Sequence, residues 1–535
     1  MSELVLRGGS VLDPGGAPAR TADVVVRDGR IAEIRDHVSS RSGSGRVVDL
    51  DGLTLTPGFI DLHSHADFSL PSYPDAINSL SQGVTTEVLG NCGYSPAPLA
   101  TDPALRSLQL DANAGLGPDL DWDWTTFADF ADRLDAARPA VNCALLVGHG
   151  QLRIGTVSCD DRPALPTEVG AMRAGVAEAL AAGAWGMSTG LVYPPGSYAG
   201  TDELVAVGEP LRGGAGVYAS HIRSEGDGLA DALREAITIG RRLETTVEVS
   251  HLTAAGKHTH GRASEALGIL DEARTTGATV GNDAYPYLAG STLLAQLLPP
   301  WVQDGGVDAL VQRLQVAEVR ERLRAEVTTG LPGWMSYAVA SGGWDRIILA
   351  TVTDPSLRDV EGLTVATAAA RAGKDPLTLV LDLLVADRGA SVMIVTLMGD
   401  ADVEAVIAHP ATGIGSDQLG VHSRESRVHP RCYGTFARIL AWAVRERGLM
   451  TLSEAVRRMT ALPASVFGFA DRGRIAPRFA ADLVAFDPAR VIDRATYEQP
   501  TLLAEGFETV IVGGVVAVES GAVIDAHLGR VLRRR

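Results

Sequence analysis

The sequence predicts an α/β protein, a (β/α)₈ barrel of the TIM type with a small β-sandwich domain formed from both chain ends. Two observations support this fold class. The middle of the chain alternates strand-like and helix-like segments, the pattern of a parallel sheet with crossover helices. Both ends instead alternate apolar and polar residues in short runs, as half-buried antiparallel strands do. We therefore assign residues 1–58 and 470–535 to the small domain and residues 59–469 to the barrel.

The two chain ends have the same style of strand pattern. The N-terminal runs are VLRGGSVLD, ADVVVRDGRIAEI and RVVDLDGLTLTPG, and the C-terminal runs are GRIAPRFAADLVAFDP, TLLAEGFETVIVGGVVAVES and GAVIDAHL. Asp28-Gly29 lies between two alternating runs and is a favourable pair for a two-residue hairpin turn. We therefore expect a hairpin there and pairing of the two ends into one domain.

Eight segments of the middle region are candidate barrel strands, and helical patterns separate several of them. In order they are GFIDLHSH, TTEVLGNC, VNCALLVGHG, AWGMSTGL, GVYASHIR, TTVEVSHL, ATVGNDAYPY and GIGSDQLG. Polar residues end almost all of them: His63, His65, Cys92, His149, His221, His251, Asp283 and Asp417. An open doubly wound sheet is the alternative, because periodicity does not separate the two folds. A barrel gathers all eight carboxyl ends on one face, so these residues favour the barrel.

The chain from Tyr287 to Gly413 is much longer than one connection between neighbouring barrel strands. It contains the helical pattern DALVQRLQVAEVRERLRAEV and the segment GLPGWMSYAVASGGWDRIILA. We therefore predict an insertion at about 288–411, between strands seven and eight, in the position of a lid over the active face.

Composition and charge narrow the classes of function. The 535 residues are 46% hydrophobic and 21% charged, as in ordinary globular chains, and the net charge of −18 argues against nucleic acid. A small molecule is the expected ligand. The sequence has no apolar run of about 18 residues that would predict a membrane span, and its N-terminus lacks a signal-peptide core. Four cysteines do not suggest a disulfide framework, so we expect a cytoplasmic protein with a solvated VLRRR tail; the oligomeric state is left open.

The strand-end histidines suggest a metal site. His63 and His65 are two residues apart, a spacing that places both side chains on one side of a strand. An HxH pair alone is a weak signal, but His221 and His251 each end a further apolar strand after a small residue. Imidazole ligands suit zinc, so we predict a zinc site built from these four histidines and one more ligand.

Cys92 is the predicted fifth ligand. Only Lys257 and Lys374 could supply a carboxylated lysine, and neither ends a candidate strand. Cys92 ends the second strand within the polar, glycine-rich segment GNCGYSP, unlike a core cysteine, and a thiolate is a strong zinc ligand. A buried structural role is the better interpretation for Cys143 and Cys159.

Asp417 is the candidate catalytic acid and base. It ends the eighth strand in GIGSDQ, where a carboxylate could take a proton from a metal-activated water and deliver it to a leaving amine. An aspartate that caps a helix is the plain alternative, and the strand position with its flanking glycines favours catalysis.

At these residues the chain resembles the D-aminoacylase (N-acyl-D-amino-acid deacylase) branch of the amidohydrolase superfamily, nearly end to end. The shared motifs include PGFIDLHSHAD, GNCG, GHGQLR, MSTGLVYPPGSYAGTDEL, HIRSEGDG, AYPYLAGST, GWDRI, GSDQ, HPRCYGTFARIL and ADLVAFDP. The resemblance implies a zinc hydrolase that cleaves N-acyl-D-amino acids to a carboxylate and a free D-amino acid.

The resemblance also implies roles for particular residues. It gives a tight zinc held by Cys92, His221 and His251, a second, weaker metal near His63 and His65, and catalysis by Asp417. It places Tyr193, Tyr285 and Ser291 at the substrate carboxylate and backbone.

One motif departs from the family. The family usually has SHHK at the sixth strand, with its lysine near the substrate carboxylate, whereas this chain has SHLT, with Leu252 and Thr253. Arg223 is therefore a candidate substrate-binding residue in place of that lysine, and Arg346 and Lys257 are further candidates. The departure concerns the substrate and not the hydrolytic chemistry.

Three other interpretations were weighed against the deacylase. A relative that hydrolyses another amide, such as a cyclic imide, a ureide or a dipeptide, is the alternative that the SHLT motif keeps open. A non-catalytic barrel would be expected to lack ligands, and here all five ligands and Asp417 are present. A lysine-dependent lyase on the same barrel is disfavoured by the two lysines.

Overall fold

The computed structural model describes residues 3–16, 18–37, 45–423 and 425–534, and its first strands form the predicted hairpins. These strands are β1 (Glu3–Val11), β2 (Arg20–Arg27), β3 (Arg30–Asp36), β4 (Arg46–Asp49) and β5 (Thr54–Pro57). The turn between β2 and β3 is Asp28-Gly29, with φ angles of 50° and 75°. Positive φ at both positions is what a type I′ hairpin turn requires, so this prediction is confirmed.

Eight parallel strands then form the barrel. They are β6 (Phe59–Asp61), β7 (Val84–Leu89), β8 (Asn142–Gly148), β9 (Gly186–Gly190), β10 (Val217–His221), β11 (Val247–Val249), β12 (Val280–Ala284) and, after the insertion, β16 (Thr412–Ile414). The strands pair in chain order, and β16 pairs with β12. The first and last strands meet through a parallel bridge between Ser64 and Gln418 and a 3.3 Å hydrogen bond from Leu62 N–H to the Ile414 carbonyl. The predicted barrel is confirmed.

Helices cover the outside of the barrel. Up to the seventh strand these are α1 (Ile77–Leu80), α2 (Pro103–Asn113), α3 (Phe127–Ala136), α4 (His149–Val157), α5 (Pro166–Ala181), α6 (Thr201–Val207), α7 (Leu229–Leu243) and α8 (Ala263–Thr275). The amphipathic pattern of α7 explains its orientation, because its buried residues are Leu229, Ala232, Leu233, Ala236, Ile237, Ile239, Gly240 and Leu243.

The segment between β12 and β16 carries its own sheet. Strands β13 (Ala289–Leu293), β14 (Ile347–Thr351) and β15 (Val392–Thr396) are antiparallel, with β15 in the centre. Its helices are α9 (Pro300–Gln303), α10 (Val307–Leu314), α11 (Ala317–Thr329), α12 (Tyr337–Ser341), α13 (Val365–Ala372) and α14 (Pro376–Ala386). The helical pattern from 308 to 327 is thus two helices, α10 and α11, that are interrupted at Gln315 and Val316. The next helix, α15 (Asp400–Ala408), returns to the barrel, where Asp402 accepts a hydrogen bond from Ala263 N–H at the start of α8.

The last part of the chain closes the barrel and completes the small sheet. Its helices are α16 (Arg431–Arg438), which continues as a π-helix over Ile439–Glu446, α17 (Leu452–Met459) and α18 (Ala461–Phe467). Phe467 and Phe469 join the apolar cluster inside the barrel, where the ring of Phe469 lies 4.5 Å from that of Trp185. This cluster fills the barrel end opposite the polar strand ends.

The two chain ends share one mostly antiparallel sheet, as the fold class predicts. Its C-terminal strands are β17 (Leu483–Phe486), β18 (Phe507–Val512), β19 (Val515–Glu519) and β20 (Ala522–Val523). β17 pairs with β5, and the sheet curls so that Arg30 forms a bridge with Ala480. Residues of both ends share a separate apolar cluster within this curled sheet.

The terminal VLRRR is not a solvated tail. Val531 and Leu532 form a short strand, β21, that pairs in parallel with β8 of the barrel at Cys143 and Ala144. Arg534 N–H also donates a 3.0 Å hydrogen bond to the Gly183 carbonyl. The expectation was wrong because the two apolar residues before the arginines pair with a barrel strand. Among the described residues, no helix is long and apolar enough to cross a membrane.

Candidate metal centre

Three ligand atoms from the ends of three barrel strands meet at the carboxyl face of the barrel. Cys92 follows β7, His221 ends β10 and His251 follows β11. Their ligand atoms all lie within 4.8 Å of one another, and all three residues are buried. Cys92 Sγ lies 3.5 Å from His251 Nε2, and the rings of His221 and His251 are 4.3 Å apart. The parallel strands therefore bring together residues that are up to 159 positions apart in the chain.

The backbone at this face is turned sharply. Cys92, His251 and Asp417 have φ angles of 54°, 33° and 50°, in the left-handed region that residues with a Cβ rarely adopt. Such conformations cost free energy and persist where the surrounding fold and the function demand them. Each of the three follows a barrel strand, and the left-handed turn directs its side chain to the common centre.

His63, His65 and Asp417 form the adjoining half of the site. Strand β6 ends at Asp61, so the two histidines lie just beyond the strand and not within it. Asp417 Oδ1 lies 3.4 Å from His63 Nε2 and 3.3 Å from His65 Nε2. His63 Nε2 is also 3.3 Å from Cys92 Sγ, so this half is continuous with the first.

Asp61 connects the first barrel strand, β6, to the segment that follows the eighth, β16, next to these ligands. Its Oδ1 accepts hydrogen bonds from His63 N–H at 3.1 Å and from Ser416 N–H at 2.8 Å. Asp417 N–H donates to the His63 carbonyl at 2.7 Å. The first and eighth strands are therefore fixed to each other at the two positions where they carry functional side chains.

Carboxylates orient two of the imidazoles. His251 Nδ1 lies 2.9 Å from Glu225 Oε1, and His63 Nδ1 lies 3.4 Å from Asp283 Oδ2. Asp283 also accepts a 2.9 Å hydrogen bond from His251 N–H. Such partners hold the Nδ1 proton, so Nε2 of each ring is left to face the centre as a ligand.

Arg431 is the cation that faces Asp417. Its Nη1 lies 2.7 Å from Asp417 Oδ2, and the side chain is fully buried at the start of α16. Burial by itself would raise the pKa of Asp417, but Arg431 and His63 hold that pKa well below its usual value. Asp417 is therefore a carboxylate in the resting site.

The charges at the centre favour a thiolate. Burial by itself would raise the pKa of the Cys92 thiol, but His63 and His251 hold it well below its usual value. A thiolate is the form of cysteine that binds metals. At Cys143 no imidazolium opposes the effect of burial, and the pKa of that thiol is raised well above that of a free thiol.

The residues fit a zinc ion. Zinc lies about 2.3 Å from sulfur and about 2.0 Å from imidazole nitrogen in tetrahedral sites, which places the two ligand atoms about 3.5 Å apart. The Cys92–His251 distance has this value. Both ring nitrogens of buried His221, and Nδ1 of His65, have no hydrogen-bond partner within the described structure. Unpartnered buried imidazole nitrogens beside a thiolate are well suited to a metal.

A cavity of about 670 Å³ opens over these ligands. Tyr193, Tyr285 and Ser291 line it, as do Thr253 and several residues of the inserted segment. The Tyr193 ring lies 4.7 Å from that of His221, and Arg431 lies 4.5 Å from the centre of the Tyr285 ring. Ser291 is on β13, so the predicted insertion forms one wall of the cavity.

The structure does not bring Arg223 to this cavity. Its guanidinium makes two hydrogen bonds to Glu235, at 2.8 and 2.9 Å, and donates to the backbone carbonyls of Ser197 and Ala199. It is therefore committed to holding the loop after β9. The proposal that Arg223 replaces the family's lysine is not supported by this geometry.

Three further histidines, His149, His258 and His260, lie outside the cavity. His149 starts α4, where it is buried 3.8 Å from Glu203, and among the described residues it shares no ligand cluster with the other strand-end residues. His258 is half exposed and pairs with Asp227 at 3.1 Å, and His260 lies 3.1 Å from the Leu397 carbonyl. A strand-end position alone therefore does not identify a ligand.

Three functional contacts were not assigned from the sequence. Arg431, Glu225 and Tyr337 have no role in the motif analysis, although HPRCYGTF and HIRSEGDG contain the first two. Tyr337 comes from the insertion and lines the cavity next to Glu225. The specific motifs around Arg431 and Glu225 were the available signal, but neither residue ends a barrel strand.

A buried thiolate and imidazole cluster at the carboxyl face of a barrel, with a carboxylate beside it, is the construction of a metal-dependent hydrolase. Comparison with known proteins agrees with this class. The sequence profile of the amidohydrolase family matches residues 46–518. The chain belongs to the amidohydrolase family.

Similar proteins are found over the whole length. D-aminoacylase of Alcaligenes xylosoxydans xylosoxydans is 38% identical over 99% of this chain and 98% of its own. The N-acyl-D-glutamate deacylase of Bordetella bronchiseptica, in complex with zinc and a phosphonate mimic of the tetrahedral intermediate, has a TM-score of 0.84 at 35% identity, with 99% of each chain covered. A D-aminoacylase structure, described as having a binuclear centre with one-metal activation and second-metal attenuation, has a TM-score of 0.82 at 38% identity, with 99% of each chain covered. The predicted resemblance is confirmed.

Proposed function

We propose that this protein is a zinc-dependent deacylase that hydrolyses the amide bond of N-acyl-D-amino acids to a carboxylate and a free D-amino acid. The observation that carries the proposal is the cluster of Cys92, His221 and His251 beside Asp417, in a chain similar along its length to D-aminoacylase. The D configuration is taken from the names of the similar proteins, and the hydrolytic chemistry from the cluster.

One zinc would be held tightly by Cys92, His221 and His251. A second, weaker metal would use His63 and His65, with Asp417 within reach of both imidazoles. A zinc ion in the first position supplies Lewis-acid chemistry, which polarises a carbonyl and acidifies water. The first position has the Cys92 thiolate as a negatively charged ligand. The second position has two neutral imidazoles as its ligands, so the first would bind zinc more tightly.

Asp417 is the group that moves the proton. Its Oδ1 faces the imidazoles and Oδ2 faces Arg431, so the carboxylate is fixed from both sides. Hydrolysis of an amide needs a base for the attacking water and an acid for the departing nitrogen, and one carboxylate serves both in turn. The leaving nitrogen must therefore lie on the Asp417 side of the scissile carbonyl.

Tyr285 and Ser291 would receive the amino-acid carboxylate, with the charge of Arg431 behind them. No lysine or arginine lines the cavity within the described part of the chain, and Thr253 stands where the family has its lysine. Arg431 lies directly behind the wall, stacked on Tyr285 and 3.5 Å from the Ser291 carbonyl. Because it pairs with Asp417 at 2.7 Å, it is the candidate cation for the leaving-group side in place of Arg223.

The test is the release of free amino acid from paired N-acetyl-D- and N-acetyl-L-amino acids by the zinc-loaded protein. We expect D-substrates to be hydrolysed with kcat/KM at least about 10²-fold above their L-enantiomers, a difference of about 2.7 kcal/mol in the transition state. Equal rates for both enantiomers would contradict the proposal. No turnover of acylated amino acids, with hydrolysis of a cyclic imide, ureide or dipeptide, would establish the alternative amide hydrolase.

A further inference from the structure

A second cavity adjoins the catalytic cavity, and Asp417 lines only the catalytic one. It has a volume of about 890 Å³, and we call it the side chamber. The two cavities meet at four residues, Cys92, Tyr94, Tyr193 and Leu293, that line both of them. A group bound beside the Cys92 ligand is therefore adjacent to the side chamber.

The side chamber is wide because its walls are largely bare backbone and small side chains. Gly93, Gly150, Gly190 and Gly306 are among the glycines that line it, and α2 contributes Ala112. A Cβ on Gly190 would lie 2.0 Å from the Cys92 carbonyl oxygen, so position 190, next to the candidate metal ligand Cys92, has no room for a side chain. Tyr94 and Tyr193 lie at the border between the two cavities, where their rings are in contact with centres 5.3 Å apart.

The polar groups of the chamber wall are mostly occupied by the protein itself. Asn113 Nδ2 donates to Gln151 Oε1 at 3.0 Å and to the Gln109 carbonyl at 2.8 Å. Gln303 Nε2 donates to the carbonyls of Ala295 and Leu298, at 3.3 and 3.2 Å. The donors of these two amides are therefore satisfied within the protein, whereas the buried Oδ1 of Asn113 has no hydrogen-bond partner among the described residues.

The side chamber disfavours a charged ligand. Among the residues that the structure describes, no lysine, arginine or histidine lines it, and its one carboxylate, Asp111, lies 3.6 Å from Arg388. Burial raises the pKa of the Cys159 thiol to about 12, so that group is neutral. A ligand in the chamber is therefore expected to be neutral and apolar, because burying an unpaired charge there would cost a large desolvation free energy.

The direction of the substrate follows from the proposed function, on which this inference rests. The leaving amine lies toward Asp417, and the amino-acid carboxylate lies toward Arg431, which pairs with Asp417 at 2.7 Å. The acyl substituent is on the other side of the carbonyl carbon. That side is the one of Cys92 and Tyr193, where the side chamber begins.

We propose that the side chamber is an acyl-chain pocket, and that the preferred substrates carry a medium-length, unbranched, neutral acyl chain rather than an acetyl group. Apolar walls stabilise each added methylene by removing it from water.

The experiment measures kcat/KM of the zinc-loaded protein for one D-amino acid acylated with acetyl, butanoyl, hexanoyl and octanoyl groups. A fully buried methylene is worth about fourfold in binding, so partial burial of six methylenes should raise kcat/KM for octanoyl at least about tenfold over acetyl. Free octanoate, as a product inhibitor, should bind at least about tenfold more tightly than free butanoate.

Two variants fill the chamber from different walls. Ala112→Phe acts from α2 and Val307→Phe from the start of α10, and in each the octanoyl-to-acetyl ratio of kcat/KM should fall at least about tenfold. Ser107→Phe adds the same ring on the exposed part of α2 and should leave that ratio unchanged. Zinc content and melting temperature identify which variants are folded.

A wild-type kcat/KM that is flat or falls with chain length would overturn the acyl-chain pocket. So would an unchanged chain-length ratio in both folded filling variants, or octanoate and butanoate inhibiting equally. In each of these cases N-acyl-D-amino acids are still hydrolysed, so the proposed function stands. Failure to hydrolyse any of the four substrates would instead refute the proposed function, and this inference with it.

Discussion

Asp417 lies between the cation Arg431 and the cluster of candidate metal ligands. Arg431, at 2.7 Å, favours the charged form of Asp417, whereas the proposed reaction requires Asp417 to take up a proton. A bound zinc would supply the acidified water from which the proton comes. The ion pair therefore fixes the position of Asp417 without removing its ability to exchange a proton in the reaction.

Asp417→Asn tests this role at the residue scale. Asparagine keeps the shape of the side chain but does not carry the proton, so kcat should fall by about 10²–10⁴-fold, the usual contribution of general acid–base catalysis. The tight zinc should remain, because Cys92, His221 and His251 are unchanged. Turnover near that of the wild type would exclude Asp417 from proton transfer, and loss of the tight zinc would make it a ligand.

The residues of the site were predictable where a strand end identified them. Cys92, His221, His251 and Asp417 could be found because parallel strands in a barrel converge, and only their order along the chain is needed. Arg431 could not be found in this way, since α16 approaches Asp417 from outside the strand order. Its position depends on how the chain after β16 packs, which periodicity does not report.

At the scale of the elements, three barrel strands are followed by a residue with a left-handed backbone conformation. Cys92, His251 and Asp417 all have positive φ, and all three direct a functional atom to the centre. Glycine would adopt this backbone without strain, but it has no ligand or proton to offer. Local backbone strain is therefore present at the positions that carry the functional side chains.

A pair of substitutions at Asp417 measures this strain. Asp417→Gly and Asp417→Ala remove the same carboxylate, but alanine keeps the unfavourable φ of 50°, so the glycine variant should be more stable by about 1 kcal/mol. Denaturant unfolding of the two metal-free variants gives the difference. At Val515, an exposed position in β19, the order should reverse, since glycine weakens a regular strand. Equal stability of the two Asp417 variants would show that the backbone there is unstrained.

Element positions were predicted better than element ends. Six of the eight barrel strands lie within the apolar segments that the sequence identifies, and β7 and β16 begin one residue before theirs. The Asp28-Gly29 turn follows from its residue types. The pattern over 308–327 looked continuous because the apolar spacing of α10 and α11 runs on past Val316. α10 nevertheless ends at Leu314, and the apolar spacing of a single sequence does not report that end.

At the scale of the whole molecule, the chain ends bind the small sheet and the barrel into one structure. β5 leads from the sheet to β6 of the barrel, and β17 returns beside β5. The last strand, β21, then crosses back to β8, where Trp185 Nε1 donates to the Leu532 carbonyl at 2.7 Å. The fold class followed from pattern, but this final pairing did not, because two apolar residues before three arginines resemble a free tail.

Deletion of residues 531–535 tests the contribution of β21. The deletion removes the pairing with β8 and the Trp185 hydrogen bond, so the apparent melting temperature should fall by about 1 °C or more, the shift that about 1 kcal/mol causes in a chain of this length. The double variant Arg533→Ala/Arg534→Ala keeps the strand and should lose less. An unchanged melting temperature on deletion would mean that the segment behaves as a tail after all.

The zinc content of two cysteine variants tests the central claim, that Cys92 holds the metal on which the chemistry depends. Cys92→Ala removes the thiolate beside His251, and Cys143→Ala removes a buried thiol of the neighbouring strand β8. Elemental analysis of protein purified without added metal should find about one zinc per chain in the wild type and in Cys143→Ala, and far less in Cys92→Ala. Full zinc occupancy in Cys92→Ala, or a metal-free wild type whose amide hydrolysis is unaffected by chelators, would contradict the account.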